Sequence, residues 1–192
     1  VQGSGSLGRV VKKIGQRGGA SHRTAECRRF FPLMKTMKVW GVGPLWGALS
    51  LAYGAAVTFC SLRYEVGRIP PSFAMPAVLV GACLLAMGLP LYAAAGKAIF
   101  RGFPEGRLLT DGVYGLCRHP IYGSWIVLII PGLELVLRSW LGLTTSLVAY
   151  ALLRVLARRE EEYLAAKFGE AYQRYRASTP FVLPLGFLRR RS

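Results

Sequence analysis

The 192-residue chain predicts an all-α, polytopic membrane protein with about four transmembrane helices and a cytosolic C-terminal amphipathic helix. Three observations carry this expectation. Apolar residues make up 53% of the chain and charged residues 18%, with a mean hydropathy of +0.36, too apolar for a soluble domain of this length. Long apolar runs alternate with polar turns. The basic residues follow the same alternation: of 25 Lys and Arg, nine fall in residues 1–38, two in 63–72, four in 97–118, one at 138 and nine in 154–192. A net charge of +16 is the footprint of nucleic-acid binding only when it is clustered. Spread between apolar runs, it is the positive-inside pattern, reinforced by attraction to anionic lipid. The expected partner is therefore the bilayer, with no nucleic acid and no required protein partner evident.

Two regions are expected. Residues 1–38 are rich in Gly, Ser, Lys and Arg and lack a periodic apolar face, so they read as a basic disordered segment. No apolar stretch of the kind a signal peptide needs occurs before Val39. Met34 and Met37 stand just ahead of the first membrane segment, and residues 1–33 are expected to be dispensable. Gly3-Ser4-Gly5-Ser6-Leu7-Gly8 spells G-x-G-x-x-G, but no strand can precede it, so it carries no dinucleotide-binding expectation. Residues 39–192 read as a single transmembrane domain.

Within that domain, Val39 to Leu62 is long enough to span, and Arg63, Glu65, Arg68 and Pro70-Pro71 make a polar turn. Phe73 to Gly96 is the second span, with Pro76 near its start and Pro90 expected to kink its later part. Phe100 to Cys117, with glycines at 102, 106, 112 and 115 and with Pro104, reads as an irregular loop. The third run, Tyr122 to Leu137, is short and holds Pro131 and Glu134, so it spans only with help from flanking residues or a thinned bilayer. Trp140 to Leu156 returns the chain. Charge counting places both termini and 97–121 in the cytoplasm, and 63–72 and Arg138-Ser139 on the far side, as in a bacterial inner membrane. Beyond Leu156, Tyr163, Leu164, Phe168, Tyr172 and Tyr175 recur at helical spacing. This continuation is expected to break near Phe168-Gly169 and to end at Pro180. Four dispersed cysteines, Cys27, Cys60, Cys83 and Cys117, have neither the spacing of a zinc site nor a disulfide framework.

The hairpin made by the last two apolar runs brings two polar clusters to one side of the membrane. Arg118-His119-Pro120-Ile121-Tyr122 precedes it and Arg158-Arg159-Glu160-Glu161-Glu162 follows it. An Arg-His pair at a helix mouth can bind an anion, although both side chains could equally anchor a helix to lipid phosphates, with Pro120 as a favoured first helical residue. Three of the nine acidic residues stand in a row at 160–162. Successive helical positions turn by about 100°, so all three cannot face one partner. At least one is expected to point inward, with Glu162 the candidate for a solvated face.

Taken with Leu164, Phe168-Gly169, Tyr172, Tyr175, Pro180 and Pro184, these clusters resemble the C-terminal half of the isoprenylcysteine carboxyl methyltransferase family, membrane enzymes that use S-adenosylmethionine (SAM). The resemblance covers roughly Gly112 to Pro184. It implies methyl transfer to a lipid-like acceptor, such as an isoprenylcysteine-type carboxylate. It also implies catalytic roles for Arg118, Glu160 and Glu161, and a cofactor pocket near His119, Pro120, Tyr122, Gly123, Tyr172 and Tyr175, without a metal. SAM carries a positive sulfonium and amino group beside a negative carboxylate, which a site holding both Glu and Arg-His complements. For Tyr172 and Tyr175 the alternative is interfacial anchoring. Methylating a carboxylate calls for alignment and exclusion of water, with no base. Family members often have a further Arg near the C-terminal Pro. Ser178-Thr179-Pro180-Phe181 offers none here, although Arg174 and Arg176 lie nearby. A sterol-reductase-like, NADPH-dependent enzyme has a similar Arg-His-Pro-x-Tyr element, but Glu160-Glu161-Glu162 and Phe168-Gly169 look more like the methyltransferase. A non-enzymatic scaffold that binds anionic lipid is the third reading.

Overall fold

The computed structural model describes residues 41–102 and 106–182. The basic segment 1–38, Cys27 and Pro184 lie outside the described residues. Among the described residues, six α-helical elements follow in order: α1 (Gly43–Tyr64), α2 (Pro71–Gly102), α3 (Val113–Leu116), α4 (Pro120–Val136), α5 (Thr144–Phe168) and α6 (Glu170–Ser178), with a 3-10 turn, Leu141–Leu143, leading into α5. Helix α1, helix α2 and the stretch Leu141–Phe168 are long and apolar enough to cross a membrane, whereas α4 is shorter. Among the described residues the four expected runs are three full-length spans and one short apolar helix, the run that the sequence already marks as short.

Two boundaries differ from the sequence expectation. Helix α2 runs unbroken through Pro76 and Pro90 and continues to Gly102, taking in Phe100 and Arg101 from the expected loop, and Val113–Leu116 forms a further helical turn. Backbone groups in hydrocarbon have no water to bond, which favours continuing a helix through residues that would end it in a soluble protein. Helix α4 contains a π turn, Trp125–Ile129, that ends two residues before Pro131. Proline lacks the N–H of the regular ladder, and the wider π turn lets the helix pass that gap.

The helices pack through small residues, as expected where apolar side chains gain little from leaving lipid. A Cβ at Gly81 would come within 2.6 Å of the Gly132 carbonyl oxygen, so glycine here allows α2 and α4 to touch backbone to backbone. Helix α1 is tied to α5 by Trp46 Nε1, which donates to the Ala149 carbonyl at 2.8 Å, and Trp46, Ile126, Ile130, Ala149 and Leu153 form the core between them. Glu134, the charge inside α4, is buried. The Thr58 hydroxyl of α1 lies 2.9 Å from each of its carboxyl oxygens, and Gly142 leaves the space its carboxyl group fills. A polar group in an apolar helix is retained where a neighbouring helix supplies its partner.

At one end of the bundle the turn after α1 meets the turn after α4. Ile69 N–H donates to the Arg138 carbonyl at 2.8 Å, and Trp140 N–H donates to the Gly67 carbonyl at 3.0 Å. The segments 63–72 and 138–139 therefore share an end, as the alternation of charge implied. The opposite end gathers the start of α1, residues 106–121, the end of α5 and all of α6.

Candidate functional site

Pro120 opens α4 with its φ already helical and no N–H to satisfy, so His119 becomes the capping residue and Arg118 stands just outside. The main chain of both is held from the far end of the sequence. Arg118 N–H donates to the Pro180 carbonyl at 2.9 Å and His119 N–H donates to the Phe181 carbonyl at 3.1 Å, which straps residues 179–182 across the mouth of α4. The break that makes this return possible is Gly169, with φ +53, a conformation that suits glycine and that lets α6 leave the axis of α5.

Helix α5 then presents Glu161 to the strap. Its Oε1 lies 2.9 Å from Arg118 Nη1 and 3.5 Å from His119 Nε2, and its Oε2 lies 3.6 Å from Arg176 Nη2. The Arg118 and Glu161 side chains are each 11% exposed, while Arg176 is 51% exposed. The short Arg118–Glu161 distance does not come with hydrogen-bond alignment. Arg118 Nε and Nη1, His119 Nε2 and Glu161 Oε1 are buried and have no hydrogen-bond partner among the described residues. The attraction is Coulombic, and the directional capacity of two donors, an imidazole nitrogen and a carboxylate oxygen stays unused. Leaving such atoms unpaired is costly in a buried place, and it is a feature that ligand sites share. The set fits a ligand end that bears one negative and one positive group.

The neighbouring acid faces elsewhere. Glu160 Oε1 accepts the Val42 N–H at 2.8 Å and the Tyr122 hydroxyl at 3.4 Å. A carboxylate there also complements the positive end of the α1 dipole. Glu162 is exposed, in keeping with a solvated face. Tyr122 packs edge-on to Trp46, with ring centroids 5.1 Å apart, and lies 6.0 Å from the His119 ring, so it bridges Glu160 to the site.

The two tyrosines of α6 divide similarly. Tyr172 is fully buried, and burial and then the Glu161 charge raise its hydroxyl above the usual tyrosine range, with Arg118 and Arg176 pulling the other way. The Tyr175 hydroxyl donates to the Tyr114 carbonyl at 2.6 Å, which ties α6 to α3 instead of turning toward the carboxylate of Glu161. Burial raises Tyr175 as well. Gly123 is buried under the strap, where a Cβ would sit 3.3 Å from the Val182 carbonyl oxygen. Behind Pro120 and Gly123, an apolar cavity of about 250 Å³ runs between α2 and α4, bounded by Met87, Leu91, Leu116, Cys117 and Val182. Burial pushes the Cys117 thiol up to about 11, partly offset by the His119 backbone.

The structure thus gathers Arg118, His119, Tyr172 and Glu161, holds Tyr122 and Glu160 one layer out, and places Tyr175 on a structural contact. Two participants were not singled out from sequence. Arg176 reaches Glu161 because α6 folds back, a consequence of Gly169 that spacing alone does not convey. Phe181 packs on His119, with ring centroids 4.6 Å apart, and lies under the Arg118 guanidinium at 5.7 Å.

Residues 74–166 match the isoprenylcysteine carboxyl methyltransferase family. The match includes Arg118, His119, Glu160 and Glu161 and stops short of Tyr172, Arg176 and Phe181. The chain is 34% identical over 79 residues to protein-S-isoprenylcysteine O-methyltransferase of Schizosaccharomyces pombe, covering 41% of this chain and 33% of that protein. It is 34% identical over 77 residues to the proteins of the same name from Mus musculus and Rattus norvegicus, covering 40% of this chain and 27% of each. The chain therefore spans about a third of the length of the curated relatives it matches, or less. No solved structure matches it.

Proposed function

We propose that this chain, whose residues 74–166 match the isoprenylcysteine carboxyl methyltransferase family, is an integral membrane methyltransferase that takes its methyl group from SAM and delivers it to the carboxylate of a lipid-like acceptor of the S-isoprenylcysteine type. The observation that carries this reading is the buried Arg118–His119–Glu161 cluster, whose unused donors and acceptor match the zwitterionic amino-acid end of SAM. Arg118 and His119 would take the carboxylate end and Glu161 the ammonium. Tyr172 would close the pocket as a neutral ring, and Arg176, on the exposed side, would temper the Glu161 charge without neutralising it in a dry interior.

When bound, SAM supplies a methyl group on a sulfonium, so that an oxygen–methyl bond forms as the sulfur–methyl bond breaks and the bond pair stays on sulfur. An acceptor carboxylate is already ionised, and no group of the chain has to remove a proton. The chain's work is to hold the two partners in line and to keep water out, which effective-molarity arguments value at up to roughly 7–11 kcal/mol. Strap residues 179–182 do this, with the Phe181 ring packed on His119 and against Tyr150 and Arg154 of α5.

The test is equilibrium binding of radiolabelled SAM and of NADPH to the purified protein in lipid nanodiscs. It is followed by transfer of labelled methyl to N-acetyl-S-farnesylcysteine, scored as a base-labile ester. Saturable SAM binding and ester formation are expected. Binding of NADPH without SAM would move the chain to the reductase reading, and binding of neither would leave the lipid-anchoring scaffold.

A further inference from the structure

Phe181 has a second cation beside it. The Arg154 guanidinium lies 5.0 Å from the centre of the ring, which is also 5.7 Å from the Arg118 guanidinium. The two arginines differ in every other respect. Arg118 is nearly enclosed and paired with Glu161, whereas Arg154 is exposed and has no acidic partner among the described residues. Arg154 stands on α5 itself, two helical turns before Glu161 and on the same face. Helical spacing places it one turn beyond Tyr150 and two beyond Leu147, side chains exposed by 39% and 72% on the stretch that is apolar enough to cross the membrane. That stripe faces lipid, and Arg154 closes it near the bilayer boundary, where a long cationic side chain can place its head at the interface. Tyr150 itself packs near Phe181, with centroids 6.4 Å apart, so the stripe leads to the same ring that covers the cluster.

We propose that Arg154 is the specificity residue for the acceptor: it receives the acceptor's carboxylate at the bilayer edge, with the lipid chain lying along Leu147 and Tyr150. The inference rests on the acceptor-carboxylate reading given above. Its own basis is the position of an unpartnered planar fork of donors at the end of a lipid-facing apolar stripe, one aromatic ring from the cofactor-type cluster. Stacking on Phe181 restrains the guanidinium and leaves its donor edge available to a carboxylate, which it can bind with two parallel hydrogen bonds. Lysine supplies the charge without that fork. Phe181 then stands between two anion-binding arginines, Arg118 on the enclosed side and Arg154 on the lipid side.

The experiment uses full-length protein in nanodiscs and two probes that differ in one group, N-acetyl-S-farnesylcysteine and its carboxamide, with binding measured at equilibrium alongside SAM affinity. In Arg154→Gln the acid should bind roughly 10- to 100-fold more weakly, the amide should be unchanged, and SAM affinity should be unchanged. Arg154→Lys should recover part of the loss for the acid. In turnover the loss should appear in KM for the acceptor more than in kcat. Equal weakening of acid and amide, or no weakening of either, would overturn the proposal and leave Arg154 as a packing or lipid-anchoring residue. A wild-type protein that binds SAM but does not prefer the acid over the amide would overturn it too. Failure to bind SAM at all would instead count against the methyltransferase reading. The two failures are therefore distinguishable.

Discussion

Glu160 and Glu161 are adjacent on one helix yet hold different parts of the molecule: Glu161 Oε1 lies 2.9 Å from Arg118 Nη1, whereas Glu160 Oε1 accepts the Val42 N–H at 2.8 Å. One helical step of about 100° separates an acid at the Arg118–His119 cluster from an acid that docks α1. This division makes their substitutions distinguishable.

Glu161→Gln and His119→Ala should each weaken SAM binding by about 2–5 kcal/mol, the range for removing one partner of a desolvated charged pair. Glu162→Ala, on the exposed face, should leave affinity within about 0.5 kcal/mol. Calorimetric titration in detergent checks all three. Equal effects across the series would point to a general loss of structure in place of a pocket.

Glu160→Ala should act on stability first. It strands the part-buried Val42 N–H and Tyr122 hydroxyl, at a cost toward the low end of the roughly 1–3 kcal/mol for an unsatisfied buried group. The thermal midpoint of the purified protein should fall, with SAM affinity less affected than in Glu161→Gln. A drop in affinity as large as that of Glu161→Gln, at unchanged midpoint, would place Glu160 in the pocket.

Arg176→Ala should cost at most about 1 kcal/mol of SAM affinity, because a half-exposed ion pair at 3.6 Å is screened by solvent. Arg174→Ala should cost nothing measurable. A hundredfold loss on removing Arg176 would show that ligand binding draws it inward.

Thr58→Val removes the hydroxyl that both carboxyl oxygens of Glu134 face, and should destabilise the fold by roughly 1–3 kcal/mol. Adding Glu134→Leu should recover part of that, since the stranded polar group disappears with its partner. A double-mutant cycle on the unfolding free energy reads the coupling. Additive effects would mean the two side chains do not depend on each other.

Cys117 should resist alkylation. Burial holds its thiol near 11, so the reactive thiolate is scarce below that value and becomes abundant only as pH rises through it. With Cys27, Cys60 and Cys83 replaced by Ala so that Cys117 is the only thiol, maleimide labelling at pH 8 should be slow in the folded protein and fast after denaturation in dodecyl sulfate. Rapid labelling in the folded state would contradict the enclosed position.

Much of this architecture is written locally in the chain. The apolar runs before Leu62, before Gly96 and after Trp140 are legible as spans, because a length and composition suited to hydrocarbon need no knowledge of neighbours. Gly169 is legible as a break for the same reason, since the conformational preference of glycine belongs to one residue. The pairing of Arg118-His119 with the acids near 160 was legible as a compound signal: a hairpin returns its ends together whatever their detailed rotation. Rotation itself was decided only in three dimensions. The sequence offered three glutamates, and packing of α5 against α1 and α4 selected which one faces Arg118, which one caps α1 and which one meets solvent. Arg176 and Phe181 reach the cluster only because the chain turns back at Gly169 and the strap bonds to residues 118 and 119, contacts that span about 60 positions. Glu134 read as an obstacle to spanning and became a buried partner of Thr58, 76 positions away. Composition and periodicity fall off within a few residues along the chain, while electrostatic and hydrogen-bond partners are chosen by distance in space, and for this protein that choice was made by the tertiary fold.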